Sequence, residues 1–387
     1  MRRQAWIAAA VALAAAAPTG AGGEPVYGLQ GSQADARLMQ VDPATLAPRG
    51  RSLRVGGFSA ERAFSPDGSS LALVSQERPV LRFVDLERMR ATGQAKLAEE
   101  GEVQWLRWTE RGIVALVDPR SGGSRLVWLD PGLRKVIRAL RYRGELVDPR
   151  LAAGRIVAVE WPARGRPARP RSAAPARCRA RSIRVDRIAG GWQRRGSAVV
   201  RMAEPGLAID RAAERAWLAD ADGEICEVVL DSLAVACRAV RTTAAVAKET
   251  GPWSRRQLTL VADGTLALSG WEKRVAGPRA AKSIGLWLVD TGTWRRRLLD
   301  REIDSFRFAG GVVVGVRRNG VTAYGPDGSR RYGIDDPLAQ FGVVSTAGSH
   351  LYVPLVNERT LVADLASGRV LRRVAGGVRP FQDDDTW

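Results

Sequence analysis

The sequence predicts an all-β fold, a seven- or eight-bladed β-propeller of four-stranded antiparallel blades, on three observations. Short runs of alternating apolar and polar residues recur along the 387 residues, as expected for half-buried strands. Units built from such runs begin at intervals of about 35 to 60 residues, which brackets the length of a propeller blade. Amphipathic helical spacing is absent over any long window after the first 21 residues, so no helices are available to cover a parallel sheet.

The first 21 residues have the pattern of an export signal. Arg2 and Arg3 precede an apolar stretch at 5–17, and a proline and small residues follow it. The alternative, a membrane anchor, needs about 20 strongly apolar residues, and this alanine-rich stretch is shorter and weaker. We therefore predict a signal peptide at 1–21 and a propeller at 22–387. The mature protein should have no transmembrane segment and should be secreted or otherwise extracytoplasmic, in the periplasm or cell envelope.

Eight candidate units follow the leader. They begin near Val26, Ala63, Val103, Leu146, Pro205, Gln257, Phe306 and Phe341. The unit at Phe306 is short, so seven and eight blades both remain open. Most units contain a hydrophobic strand that ends in aspartate before a tight turn, where the carboxylate can accept bonds from backbone N–H groups. These aspartates are Asp42, Asp85, Asp130, Asp290 and Asp364.

The two ends of the chain complement each other. Between Val26 and Val55 there is room for three strands, so the first unit lacks its innermost strand. The C-terminal segment follows the last arginine-rich strand, at the point where a new innermost strand would begin. An open ring would leave unpaired edge strands. We therefore predict that residues 378–383 complete the first blade.

The repeated units resemble the WD40-like and YVTN-like propeller repeats of exported bacterial proteins. The segment AFSPDGSSLALVS at 63–75 resembles the PD40 segment of TolB-type propellers, and a second Pro-Asp-Gly turn follows Tyr324 and Gly325. The Gly-His and Trp-Asp landmarks of true WD40 repeats are missing. The resemblance therefore implies a bacterial repeat protein with this fold and no particular functional residue.

Export permits disulfides, and two of the three cysteines are placed to form one. Cys226 and Cys237 flank two short strands joined by Asp231 and Ser232. A two-residue hairpin turn there places the cysteines opposite each other on one face of the sheet. Cys178 then has no partner, and it is either an exposed thiol or an intermolecular link.

The chain is strongly basic, with 60 Lys and Arg against 41 Asp and Glu, a formal net charge of +19. Two explanations are open: a general bias of the composition towards arginine, or attraction to an anionic partner. The longest departure from the repeat is a Pro- and Arg-rich insertion at 162–181 in the fourth unit. It is either a solvated insertion or an anion-binding arm, because arginine suits phosphate and carboxylate groups. Its candidate anion-binding residues are Arg164, Arg166, Arg169, Arg171, Arg177, Arg179 and Arg181.

No catalytic residue, metal site or cofactor is predicted. The one histidine, His350, is predicted to lie in a turn with no visible partner, which excludes a Ser-His-Asp triad built elsewhere. We expect an exported, monomeric, non-enzymatic binding or scaffolding protein that uses a propeller face for a protein or an anionic envelope polymer. Export argues against nucleic acid as a partner. The alternative is a hydrolase or lyase sited in the channel and dependent on calcium, with Asp383, Asp384 and Asp385 as its candidate acids.

Overall fold

Strands account for the regular structure that the computed structural model of the chain describes. The description covers residues 25–381 except 32–34, 76–77, 120–121, 162–180, 190–192, 203–204, 221–222, 241–255, 274–280, 340–343 and 377. The predicted signal peptide at 1–21 lies outside these residues. Within them, no helix is long and apolar enough to cross a membrane. The 33 strands in the described part of the chain form eight antiparallel sheets, which establishes an eight-bladed propeller.

The strands of each blade follow one another outwards from the central channel. Blade 2 contains β4 (Phe58–Phe64), β5 (Ser70–Ser75), β6 (Val80–Asp85) and β7 (Arg90–Lys96). Blade 3 contains β8 (Glu102–Thr109), β9 (Gly112–Asp118), β10 (Ser124–Asp130) and β11 (Lys135–Tyr142). Blade 4 contains β12 (Glu145–Ala152), β13 (Arg155–Trp161), β14 (Arg181–Ala189) and β15 (Gln193–Met202). Blade 5 contains β16 (Gly206–Ile209), β17 (Arg215–Ala219), β18 (Glu224–Val229) and β19 (Ala234–Ala239).

The remaining blades have the same order. Blade 6 contains β20 (Arg256–Ala262), β21 (Thr265–Lys273), β23 (Leu286–Asp290) and β24 (Arg296–Asp300), with β22 (Ala281–Ser283) paired to β21. Blade 7 contains β25 (Ser305–Ala309), β26 (Val312–Arg317), β27 (Gly320–Tyr324) and β28 (Arg330–Asp335). Blade 8 contains β29 (Ser345–Ala347), β30 (His350–Pro354), β31 (Arg359–Asp364) and β32 (Val370–Ala375). The short unit at Phe306 is thus a complete blade.

Blade 1 is built from both ends of the chain, as predicted. It contains β33 (Arg379–Phe381), β1 (Val26–Gln30), β2 (Arg37–Val41) and β3 (Pro48–Arg54), with β33 innermost. Residues 382–383 of the predicted closing strand lie outside the described residues. A Cβ on Gly28 would lie 2.7 Å from Val378 Cγ1, so glycine at this position lets the C-terminal segment approach β1. The Tyr352 hydroxyl of blade 8 donates to the Pro43 carbonyl of blade 1 at 3.0 Å, which ties the last blade to the first.

An apolar cluster fills each interface between neighbouring blades. Between blades 3 and 4, for example, Trp128 packs in one cluster with Ile156, and both are almost fully buried. Between blades 8 and 1, Tyr352 packs with Val41. Each blade therefore buries its two faces against its neighbours, and its stability depends on both of them.

The predicted turn aspartates accept the expected hydrogen bonds. Oδ1 of Asp42 accepts the N–H groups of Ala44 at 3.0 Å and Thr45 at 2.8 Å. Equivalent bonds run from the N–H of Arg88 to Asp85, of Leu133 to Asp130, of Thr293 to Asp290 and of Ser367 to Asp364. The bond from the backbone of Thr45 is the main cause that lowers the pKa of Asp42 to about 2, with burial acting in the opposite direction.

Candidate ligand site in the central channel

The predicted anion-binding arm is largely outside the part of the chain that the structure describes. This applies to Arg164, Arg166, Arg169, Arg171, Arg177 and Arg179, and also to Cys178. Arg181 is the first residue of β14, where it pairs with Met202, so the insertion ends one residue earlier than predicted. The arm connects β13 to β14, the second and third strands of blade 4. Its role as an anion-binding segment stays a prediction.

The predicted disulfide is present. Cys226 on β18 pairs directly with Cys237 on β19, and their sulfur atoms are bonded. The connection is longer than predicted, because four residues, 230–233, separate the two strands, but the register is the one expected from the turn. The carboxylate of Glu224 lies within 4.8 Å of both sulfurs. Because the sulfurs are bonded to each other, the group offers no thiolate ligand to a metal.

Arginines occupy the same position on four of the innermost strands. In each case the arginine is two residues before the end of its strand, next to the turn that leads to the second strand of the blade. The four residues, called the channel arginines below, are Arg62, Arg107, Arg150 and Arg307, opposite Leu73, Val114, Val157 and Val314. The innermost strands surround the channel. The shared position therefore places the four positive charges at a similar height along the channel axis.

Arg62 on β4 is half-buried beside the closing strand. Its guanidinium carbon lies 4.1 Å from the centre of the Phe381 ring, a cation–π contact with the innermost strand of blade 1. Burial lowers the pKa of Arg62 to about 10, and the neighbouring Glu61 acts in the opposite direction. Arg62 stays charged at neutral pH, in surroundings that make its charge costly.

Arg307 on β25 is buried, with 7% of its surface exposed. Its Nε donates to Oγ1 of Thr346 on the innermost strand of blade 8, at 3.0 Å. Burial lowers the pKa of Arg307 to about 10, and the positive charge of Arg62 lowers it further. Blades 7 and 2 are three places apart in the ring, so this repulsion acts between blades that are not neighbours. The charge of Arg62 is therefore felt at Arg307, although the two strands are not neighbours.

The other channel arginines also contact inner strands. Arg150 donates from Nε to the Leu207 carbonyl of blade 5 at 3.3 Å. Arg107 lies over the ring of Trp105, with 5.4 Å between the guanidinium carbon and the ring centre. Glu61 adds one carboxylate, whose pKa burial raises while the charges of Arg107 and Arg62 lower it. The channel thus combines several guanidinium groups with at least one acid.

This arrangement is suited to holding an anion. A guanidinium group has five N–H donors in a planar fork that matches carboxylate and phosphate oxygens, so bonding to a neighbouring strand is compatible with bonding to a ligand. The low polarity around these arginines strengthens the attraction between each guanidinium group and a bound anion. His350, the one histidine, is the first residue of β30 and not part of a turn as predicted, and its ring stacks on Tyr352 with 6.2 Å between the ring centres.

The channel arginines were not predicted from the sequence. Each is followed by two residues and a turn, in RAFSPDG, RWTERG, RLAAG and RFAGG, but this pattern is too weak to serve as a motif. Arginine is so frequent in this chain that the four did not stand out from the insertion at 162–181. Only the ring closure brings them together.

Comparison with known structures supports the fold. NirN, a dihydro-heme d1 dehydrogenase solved in complex with DHE, has a TM-score of 0.61 and 11% identity, over 92% of this chain and 74% of that chain. Apo AztD from Citrobacter koseri has a TM-score of 0.55 and 11% identity, over 92% and 96% of the two chains. BamB from Moraxella catarrhalis has a TM-score of 0.53 and 14% identity, over 90% and 91%.

No protein-family model matches this chain, and no curated protein sequence matches it. Identities of 11% to 14% show a shared propeller fold and do not transfer a ligand or an activity. The resemblance to WD40-like, YVTN-like and PD40 repeats stays a prediction about the type of repeat.

Proposed function

We propose that this propeller is an extracytoplasmic, non-enzymatic binding protein that holds an anionic group of its ligand at the channel arginines. The observation that carries the proposal is the shared position of the four channel arginines on innermost strands, where Arg307 is buried and Arg62 is half-buried. Bringing like charges together in a buried place is unfavourable in the free protein. A bound carboxylate or phosphate would remove that repulsion, so the ligand's charge and the site's charge are complementary.

Two further features support the extracytoplasmic location. The Cys226–Cys237 disulfide is of a kind that persists in oxidising compartments. The pattern of residues 1–21 is that of an export signal, although these residues lie outside the described part.

Thermal unfolding of the full chain tests the site. Citrate and tripolyphosphate serve as probes, because they are small anions with several charges. We expect both to raise the melting temperature of the wild-type protein, since a ligand that binds the folded state stabilises it. The Arg62→Gln and Arg307→Gln variants should lose most of this increase. Neutralising either residue also relieves the repulsion, so each variant should fold.

A matched control comes from Arg211, which is exposed in the turn between β16 and β17. The Arg211→Gln variant removes the same charge and should keep the full increase. If this control variant lost as much of the increase in melting temperature, the anions would be acting through the net charge of the protein and not through the channel arginines. Absence of any increase in the wild-type protein would contradict an anion site in the channel.

The alternative function is a calcium-dependent hydrolase or lyase in the channel. A titration with calcium distinguishes it from the proposed binding function. Its candidate acids, Asp383, Asp384 and Asp385, lie outside the described residues. We expect calcium to leave the melting temperature unchanged. An increase would favour the alternative.

A further inference from the structure

The outermost strands of the eight blades share one sign of charge. Among the side chains that the structure describes on these strands, sixteen are arginine or lysine and two are acidic, Asp300 and Asp335. The whole chain has 60 basic and 41 acidic residues, so its composition alone does not explain this ratio. The arginine and lysine side chains of the eight outermost strands are called the arginine belt below.

The arginine belt runs around the whole circumference. Every blade contributes at least one basic side chain, including blades 4 and 5, where Arg201 and Arg238 are exposed. Blades 7 and 8 contribute exposed pairs, which include Arg331 and Arg372. The positive charge is therefore not confined to one side or to one face of the ring.

Protection of sheet edges explains only part of this pattern. An outermost strand exposes unpaired backbone groups, and charged side chains keep such an edge from pairing with another molecule. Acidic side chains would serve that purpose as well, so the need for protection does not select the sign. The uniform positive sign calls for a second explanation, and attraction to a negatively charged partner provides one.

We propose that the arginine belt binds a flexible linear polyanion, a polymer with regularly repeated phosphate or carboxylate groups, which follows the curved outer wall of the propeller. The shape of the belt decides between partners. A flat membrane or a globular protein can contact only the few blades that face it, and leaves the rest of the belt unused. A flexible chain can contact successive blades in turn. The proposal concerns the outer wall and is independent of the channel site.

Long-chain inorganic polyphosphate is the probe, and labelled polymer and fluorescence anisotropy give its affinity for the full chain. We expect binding at about 0.15 M ionic strength that weakens as salt is added, because exposed charges are screened. Two triple variants remove equal charge from opposite sides of the ring. One is Arg330→Gln, Arg331→Gln and Arg372→Gln in blades 7 and 8. The other is Lys135→Gln, Arg141→Gln and Arg201→Gln in blades 3 and 4.

Both triple variants should weaken binding to a similar extent, by about tenfold, because each removes three exposed charge contacts from the same wrapped chain. A control variant replaces Arg111, Arg211 and Arg318, which are exposed in turns outside the belt, with glutamine. Its affinity should stay close to that of the wild-type protein. All six belt positions are exposed, so the melting temperatures of the variants should match the wild-type value.

Several results would overturn the proposal. These are a lack of polyphosphate binding, a complete loss in one belt variant with no loss in the other, and an equal loss in the turn control. Stronger binding to vesicles of anionic lipid than to polyphosphate would show a membrane partner instead. The channel variants Arg62→Gln and Arg307→Gln should keep polyphosphate binding. If they lose it, the polymer binds in the channel, and the belt is excluded while the channel site is supported.

Discussion

The rings of Phe381 and Phe64 pack together with their centres 5.8 Å apart, although the two residues come from different blades and Phe381 lies near the end of the chain. Phe64 also contacts Tyr27, with 5.7 Å between the ring centres. These three aromatic residues belong to one apolar cluster between blades 1 and 2. The closing strand is therefore held by side-chain packing as well as by its pairing with β1.

Replacing Phe381 with alanine tests the closure. Phe381 is 2% exposed, so the Phe381→Ala variant leaves a cavity between blades 1 and 2. We expect the free energy of unfolding to fall by about 3 kcal/mol or more, as for other buried phenylalanines. Denaturant unfolding followed by circular dichroism measures the change.

Val356 provides the control, because it is 61% exposed on blade 8. The Val356→Ala variant should stay within about 0.5 kcal/mol of the wild-type protein. If the two variants were equally stable, the C-terminal strand would contribute nothing to ring closure. A chain that ends before Gly376 should be destabilised further, because it also lacks the pairing of β33 with β1.

The fold could be predicted because its signals are local. Alternation along Val80–Asp85 marks one strand, and the missing innermost strand of the first unit is visible by counting strands. The pairing of Cys226 with Cys237 needed only the position of a turn between two short strands. The number of blades was left open because the unit at Phe306 is short. The structure shows that short turns, such as the one between Ala309 and Val312, accommodate a complete blade in that length.

The candidate site could not be predicted in the same way. Arg62 and Arg307 are far apart in the sequence, and only the closed ring brings their charges together. Each lies in an ordinary strand, with no motif that distinguishes it from other arginines. The insertion at 162–181 attracted attention because its composition is unusual over a continuous stretch. A site assembled from single residues on several blades has no such local signal.

The turn aspartates predict how stability depends on acid. Asp42 has its pKa lowered to about 2, mainly by the backbone N–H of Thr45. An unfolded aspartate titrates near 3.9, so between about 4 and 2 the unfolded chain binds more protons than the folded one. Stability from this carboxylate is therefore complete above about pH 4 and is lost as the pH falls towards 2. The Asp42→Asn variant removes the titration and keeps a side-chain oxygen.

Urea unfolding at several pH values from 2 to 6 measures this dependence. The stability advantage of the wild-type protein over Asp42→Asn should shrink as the pH falls. Asp364 lies at the equivalent turn of blade 8, and the Ser367 hydroxyl and N–H lower its pKa. The Asp364→Asn variant should show a change of the same sign. A constant difference between wild type and both variants would contradict the role of these bonds.

Asp304 predicts the opposite dependence on pH. It lies directly before β25 with 8% of its surface exposed, and burial raises its pKa to about 6, with a bond from Ser283 acting in the opposite direction. Between about pH 4 and 6 the folded chain binds more protons than the unfolded one, so this group makes stability fall as the pH rises. The Asp304→Asn variant has no ionisable group at this position, so its stability should not decrease in this way as the pH rises. Relative to the wild-type protein it should gain about 2 kcal/mol between pH 4 and 7.

Thermal and urea unfolding at both pH values measure the gain. A gain in Asp304→Asn that is the same at both pH values would show that the carboxyl group is not held in its protonated form by burial.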